Sequence, residues 1–184
     1  MSDWLATVPF SEDEYSKITG IDISDYMIQY ARQHYGRKNI LFQQDDLTKL
    51  NIPDKSYDCI WVERVLHHVT NVETVLAQLT RLLKPDGQLV IAEPYIPSTI
   101  ITPISLISRQ EFANEWCRTV ANGEIGLTLD DKMHTLGYKP KFKFGSFVCM
   151  NDYDTISKYI DLSLFLSNLT AEQITLQGLL KSSA

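Results

Sequence analysis

Tyr57-Asp58-Cys59-Ile60-Trp61-Val62, then Val72 to Leu83, then Gln88-Leu89-Val90-Ile91-Ala92-Glu93 follow one another near the middle of a chain of 184 residues. The first is a short, mostly apolar run rich in aromatic and β-branched residues. It is opened by the turn residues Pro53-Asp54-Lys55-Ser56 and reads as a central strand. In the second, Val72, Val75, Leu76, Leu79, Leu82 and Leu83 recur at spacings of three and four, which puts all six on one face of a helix. Lys84-Pro85-Asp86-Gly87 is expected to stop that helix, with a proline that cannot continue it and a glycine free to take positive φ. The third run then resumes as a strand, so the unit is strand, helix, strand.

A continuous rather than alternating apolar strand is what a parallel sheet covered on both faces requires, and parallel strands are joined by helical crossovers. The fold class is therefore α/β, a mostly parallel sheet flanked by helices. Ligands of such sheets bind at the carboxyl ends of the strands. Here those ends are Glu63 and Glu93-Pro94-Tyr95.

With 44% apolar and 10% aromatic residues the chain can bury a substantial core, and its length suits one domain. The formal net charge of -6 disfavours a nucleic-acid backbone or an anionic membrane surface as the main partner. Lys139, Lys141 and Lys143 alternate with Pro140 and Phe142 and read as the wet face of a strand. Cys59, Cys117 and Cys149 include no CxxC pair, against a disulfide framework and against a zinc or other metal site. Cys59 is expected to act as a small buried hydrophobe, and a reducing cytoplasm suits the chain. No apolar run approaches the ~18 residues of a membrane span. The amino terminus, with Asp3 early and no basic region, does not read as a secretory signal.

Residues 1–17 read as an irregular arm, with a capping-box pattern at Ser11-Glu12-Asp13-Glu14. Residues 18–184 read as a single domain. Ile18 to Ile23 is a strand ending in Asp22, and Ser24 caps a helix from Asp25 to about Tyr35, closed by Gly36. Met27, Tyr30, Ala31 and His34 are expected on its buried side. Asn39 to Gln44 is the next strand, with Asp45-Asp46-Leu47 as its exit loop. After residue 95, an acceptor-side insertion (96–137) holds a proline-punctuated loop from Pro97 to Pro103. It also holds a helix opened by Ser108 that carries Phe112, Trp116 and Val120, and a shorter helix from about Asp130 to Leu136 ending at Gly137. Residues 138–184 read as one or two strands, from Tyr138 to Met150, and then tail helices.

Four stretches in order carry a resemblance: Ile21-Asp22-Ile23-Ser24 with Met27 and Ala31; Gln44-Asp45-Asp46-Leu47; Tyr57-Asp58-Cys59-Ile60 to Leu66-His67-His68-Val69; and Leu82-Leu83-Lys84-Pro85-Asp86-Gly87-Gln88-Leu89. Over about residues 18–95 the chain resembles the class I S-adenosylmethionine-dependent methyltransferases, in particular those acting on small molecules and lipids. The resemblance implies a Rossmann-like sheet, S-adenosyl-L-methionine as cofactor and a small organic acceptor. It implies that Asp22, with Ile23 beside it, takes the ribose hydroxyls. Asp46 would accept from the adenine amino group, with the Leu47 backbone N–H facing a ring nitrogen and Asp45 nearby. Glu63 would line the methionine end. Tyr95 and Trp116 would contribute to the acceptor pocket. His67 or His68 could serve as general base for a hydroxyl or amine, but adjacent helical positions diverge by about 100°, so at most one faces a pocket.

The departure from the family lies before Asp22. There the family has a middle strand and a glycine-rich loop, and no G-x-G pattern precedes Gly20 here. Val8 and Ile18 are too close for a parallel crossover of the usual ~10 to 12 residues. The expectation is a member shortened at one end or at both, its first strand missing, with an open sheet edge that a partner chain or a second copy could cover. A second reading is a non-catalytic remnant serving as a binding or scaffold module, or an unstable fragment. An NAD-type oxidoreductase would need the same glycines and a nicotinamide site that is not visible.

Overall fold

The computed structural model describes residues 17–99 and 109–146. The arm up to residue 16, the Ser108 cap, the loop beyond Thr99, the stretch from Phe147 and the tail helices from Tyr153 lie outside the described residues. The chain divides into two compact units, one made of 17–62 and 71–91, the other of 63–70, 92–99 and 109–146.

In the first unit, β1 (Ile18–Asp22) and β2 (Ile40–Gln44) pair in parallel, with Ile18 opposite Ile40 and Asp22 opposite Gln44. The crossover is α1 (Asp25–Tyr35), whose cap Ser24 accepts the Met27 N–H at 3.4 Å. Ile28 and Ala31 of α1 bury against Phe42 of β2, with Tyr35 and Ile40 packed at the margin. The helix therefore turns Ile28 inward. His34 is exposed instead, stacked on Tyr30 with ring centroids 4.0 Å apart and its Nδ1 2.8 Å from the Tyr30 carbonyl.

β3 (Tyr57–Glu63) and β4 (Leu83–Ala92) form a second pair. The Lys55 N–H donates to Arg81 O and the Arg64 N–H to Ala92 O, so both segments advance in the same direction and the pair is parallel. Their crossover, α2 (Val72–Leu82), starts on Asn71, whose side chain accepts the Thr74 N–H at 3.0 Å. Val72, Val75, Leu76, Leu79 and Leu82 are all buried, each worth roughly 1.5–3 kcal/mol. Leu83 is buried too, but as the first residue of β4.

The stop at Lys84-Pro85-Asp86-Gly87 takes another form than expected. Leu83 turns extended (φ -73°, ψ 139°), and the four residues already belong to the strand. Lys84 Nζ holds both carboxylate oxygens of Asp58 at 2.8 and 2.7 Å. Gly87 serves a close approach rather than a positive φ, since an added Cβ would meet Lys84 O at 3.0 Å and Asp58 O at 3.2 Å.

Among the described residues the two pairs are separate sheets, and each strand has one neighbour. The expected burial of β3 on both faces is not met. Only Val62 of β3 is buried, Trp61 is 46% exposed, and Cys59 is exposed rather than buried.

In the second unit, α3 (Arg109–Arg118) packs on the short turn Ile96–Ser98. It ends before Val120. α4 runs from Ile125 to Thr135, starting earlier than the sequence suggested because Ile125 is buried and Gly126 lies against the Pro94–Tyr95 backbone, where a Cβ would come within 2.7 Å of Pro94 O. Gly137 closes α4 at φ +83°, as expected. Residues 138–146 form no strand: Phe142 and Phe144 are each 78% exposed, and Lys143 pairs with Asp130 at 2.8 Å.

One side chain organises the passage from β2 to β3. Arg81 of α2 donates to Ile52 O (2.7 Å), Leu50 O (3.1 Å), the Asp54 carboxylate (2.5 Å) and Gln78 Oε1 (2.7 Å). Arg81→Ala strands two loop carbonyls, and urea denaturation is expected to show a loss of about 2–3 kcal/mol. A loss under about 0.5 kcal/mol, the range of an ordinary surface substitution, would mean the loop is held by other contacts.

Candidate functional site

The parallel register of β1 and β2 brings their carboxyl ends side by side, and with them Asp22, Ile23, Asp45, Asp46 and Leu47. The Asp45 N–H donates to Asp22 O at 3.1 Å, and Gln44 Nε2 donates to Ile23 O at 3.0 Å. Asp22 Oδ1 accepts the Ser24 N–H at 2.8 Å, and its Oδ2 has no donor among the described residues. Ile23 is 70% exposed beside it. Asp45 is consumed locally, by the Asp46 N–H (2.8 Å) and Gln43 Nε2 (3.0 Å).

Asp46 Oδ1 takes the N–H (2.9 Å) and the hydroxyl (2.7 Å) of Thr48, and Oδ2 lies 3.5 Å from Lys49 Nζ. The Thr48 backbone bond first, then its hydroxyl, hold this carboxyl below its ordinary 3.8. The Leu47 N–H has no acceptor among the described residues. An open carboxylate oxygen, a half-buried carboxylate and an open backbone N–H on two adjacent loops suit a polar ligand with hydroxyl, amino and ring-nitrogen groups. This donor and acceptor set fits the adenosine part of the cofactor.

The second unit holds the remaining candidates. Glu63 is the exposed last residue of β3. Arg64 follows with φ +54°, a left-handed turn costly for a side chain of this size. That turn gathers three successive N–H groups on one carboxylate. Glu93 Oε1 accepts from Val65 and Leu66 (2.7 Å each), and Oε2 accepts from the His67 N–H (3.3 Å) and lies 2.8 Å from His67 Nδ1. The side chains of His67 and Glu93 are 5% and 1% exposed.

Residues Leu66–His68 form a 3-10 turn, and the rings of His67 and His68 stay in contact, centroids 3.9 Å apart, where a divergence was expected. Glu93 was legible in the sequence only as the end of a strand. Its partners lie 26 to 28 residues away, beyond any local spacing rule.

Tyr95 precedes the Ile96–Ser98 turn and is 37% exposed, and Trp116 is half-buried on α3. A groove of about 320 Å³ is lined by Ala121 to Ile125, Thr128 and Lys132, without Tyr95 or Trp116. No cluster of metal-ligating side chains occurs among the described residues, and no helix among them is long and apolar enough to cross a membrane.

Residues 4–91 match the family described as Methyltransferase domain. Over that stretch, a little under half of its length, the chain is similar to S-adenosylmethionine-dependent methyltransferases. The match begins upstream of β1, so the likeness to this methyltransferase family reaches further toward the amino end than the motifs suggested. A demethylmenaquinone methyltransferase of Tropheryma whipplei is 39% identical over 87 residues, covering 47% of this chain and 36% of that protein. An uncharacterized 37.1 kDa protein in transposon TN4556 of Streptomyces fradiae is 33% identical over 127 residues, covering 68% and 37%. The chain thus spans little more than a third of the length of these relatives. A solved S-adenosylmethionine-dependent methyltransferase from Mesorhizobium loti superposes with a TM-score of 0.49 at 23% identity, covering 65% of this chain and 62% of that one.

Burial holds the His68 pKa below its ordinary 6.5, helped by His67 and Arg64 and opposed by Glu93. The folded chain therefore binds fewer protons than the unfolded chain at pH values around and below 6.5, and stability falls as pH drops through that range. Thermal melts between pH 7.5 and 5.5 are expected to decline less steeply for His68→Gln. Parallel curves for the two proteins would remove His68 as a source of acid sensitivity.

Proposed function

We propose that this chain binds S-adenosylmethionine through the exit loops of β1 and β2 and takes part in methyl transfer to a small organic acceptor. The observation that supports the reading most directly is the position of Asp22 at the end of β1, opposite Gln44 and next to Asp46, inside the stretch that matches the methyltransferase domain. When bound, the cofactor supplies a methyl group activated by a sulfonium.

The chain's own residues bind and orient it. The Asp22 carboxylate accepts from the ribose hydroxyls, with Ile23 against the sugar. The Leu47 N–H donates to a ring nitrogen, and Asp46 accepts from the amino group, its carboxylate kept ionised by Thr48. Asp45 shapes the loop, since both of its oxygens already serve Asp46 and Gln43. Tyr95 and Trp116 are the acceptor-side residues of this reading, and Glu63 is its methionine-side acid. Methyl transfer from a sulfonium needs chiefly in-line placement and exclusion of water. A relative named demethylmenaquinone methyltransferase favours a quinone-type acceptor.

The second reading, a binding module without catalysis, is favoured by the absence of a G-x-G pattern. Calorimetric titration of the purified chain with S-adenosylhomocysteine separates the two. Micromolar binding is expected, and Asp22→Ala should weaken it about 10- to 100-fold, the loss of a charge-assisted contact worth roughly 1.5–3 kcal/mol. A folded chain that gives no heat at millimolar ligand would leave only the binding-module reading.

A further inference from the structure

We infer that Thr48 is a positioning residue that makes the Asp46 loop select an amino purine over an oxo purine, an assignment that rests on the cofactor reading above. The residues concerned all lie in the first unit, on the short turn that leaves β2. Thr48 gives Asp46 two bonds on one oxygen: Oδ1 accepts the Thr48 N–H at 2.9 Å and the Thr48 hydroxyl at 2.7 Å. The Lys49 N–H closes the turn behind them, donating to Asp46 O at 3.0 Å. With one oxygen held twice, the plane of the carboxylate is fixed and Oδ2 is the oxygen left to accept from a ligand. Lys49 Nζ lies 3.5 Å from Oδ2, outside the roughly 2.7–3.2 Å of an N–H···O bond, and the lysine side chain is 77% exposed. An ion pair so exposed holds a carboxylate weakly. Thr48, and not Lys49, therefore sets the direction in which Oδ2 accepts.

The same turn leaves the Leu47 N–H without an acceptor among the described residues. Neighbouring residues thus offer an acceptor, Oδ2, and a donor, the N–H. The edge of an adenine is their complement, since its 6-amino group donates and the adjoining ring nitrogen accepts. A 6-oxo purine reverses both signs. Its carbonyl oxygen would face Oδ2 and its ring N–H would face the Leu47 N–H, so that acceptor opposes acceptor and donor opposes donor. Opposed groups of this kind reject a ligand, which the mere loss of a contact does not. The rejection needs an acceptor fixed in place. The last torsion of an aspartate is broad, so without the Thr48 hydroxyl the carboxylate can turn away from the wrong edge and the selection weakens.

The test uses the full chain and two probes that differ at that edge, S-adenosylhomocysteine and S-inosylhomocysteine, with each Kd read by calorimetric titration. The wild type is expected to prefer the amino compound about 10- to 100-fold. Thr48→Val keeps the volume and removes the hydroxyl, and should lower that ratio about fivefold, chiefly by weakening S-adenosylhomocysteine. Thr48→Ser restores the hydroxyl and should keep the ratio within twofold of wild type, as should Lys49→Gln.

A ratio unchanged in Thr48→Val, including a loss shared equally by the two compounds as a merely structural residue would give, would overturn the assignment. So would a ratio lost to the same extent in Thr48→Ser. Where Thr48→Val fails to fold, Lys49→Gln decides: a kept ratio supports Thr48, and a fallen one would give the orientation of Asp46 to the ion pair. A wild type that binds both compounds equally would leave the cofactor reading standing and overturn only the selection. A wild type that binds neither would remove that reading and the selection with it.

Discussion

A carboxylate with 1% of its side chain exposed is expensive unless donors surround it, and Glu93 has four. Much of the second unit is arranged so that those donors exist. The backbone bends left-handed at Arg64, the next three N–H groups converge, and the turn Leu66–His68 starts on them. Backbone nests of this kind bind anions elsewhere, and here the anion is part of the chain. The pair joins two segments far apart in sequence. Withdrawing Glu93 would leave three N–H groups and an imidazole without partners at once.

The first unit meets its constraint with hydrogen bonds and packing rather than buried charge. α1 carries an apolar face onto its parallel pair, α2 buries an apolar face of its own, and Arg81 spans the loop between the pairs with a planar, multiply donating group that lysine could not replace. The acids at the strand exits play different parts. Asp45 and Asp46 spend most of their capacity on their own loop, whereas one oxygen of Asp22 and the Leu47 N–H remain open among the described residues. Short loops held by their own side chains can keep such open groups in place without a ligand.

Local signals were legible where the physics is local. Ser24 and Asn71 cap helices by side-chain oxygens, Gly137 takes the left-handed C-cap, and the six apolar positions from Val72 to Leu83 are all buried. Signals failed where a distant partner decides. Lys84 to Gly87 looks like a turn, yet pairing with β3 and the Lys84–Asp58 contact draw it into a strand. The sequence suggests a helix only from about Asp130, yet α4 starts at Ile125, with Gly126 letting it lie against Pro94 and Tyr95. The alternation of Tyr138 to Phe144 looks like a strand, yet that stretch is irregular and exposed. Cys59 is exposed on β3, whose burial depends on what packs over its face.

The sequence by itself determined the strand–helix–strand units, their parallel sense, the caps and the placing of Asp22 and Asp46 at strand exits, because each depends on periodicity or on residues a few positions apart. The tertiary structure decided which residues share an environment: His67 with Glu93, Arg81 with Leu50, Ile52 and Asp54, Gly126 with Pro94. These partners are separated by 26 to 32 residues in the sequence. Such pairs leave no periodic trace, since burial of a charge or a close backbone contact is a property of the folded chain and not of any window along it.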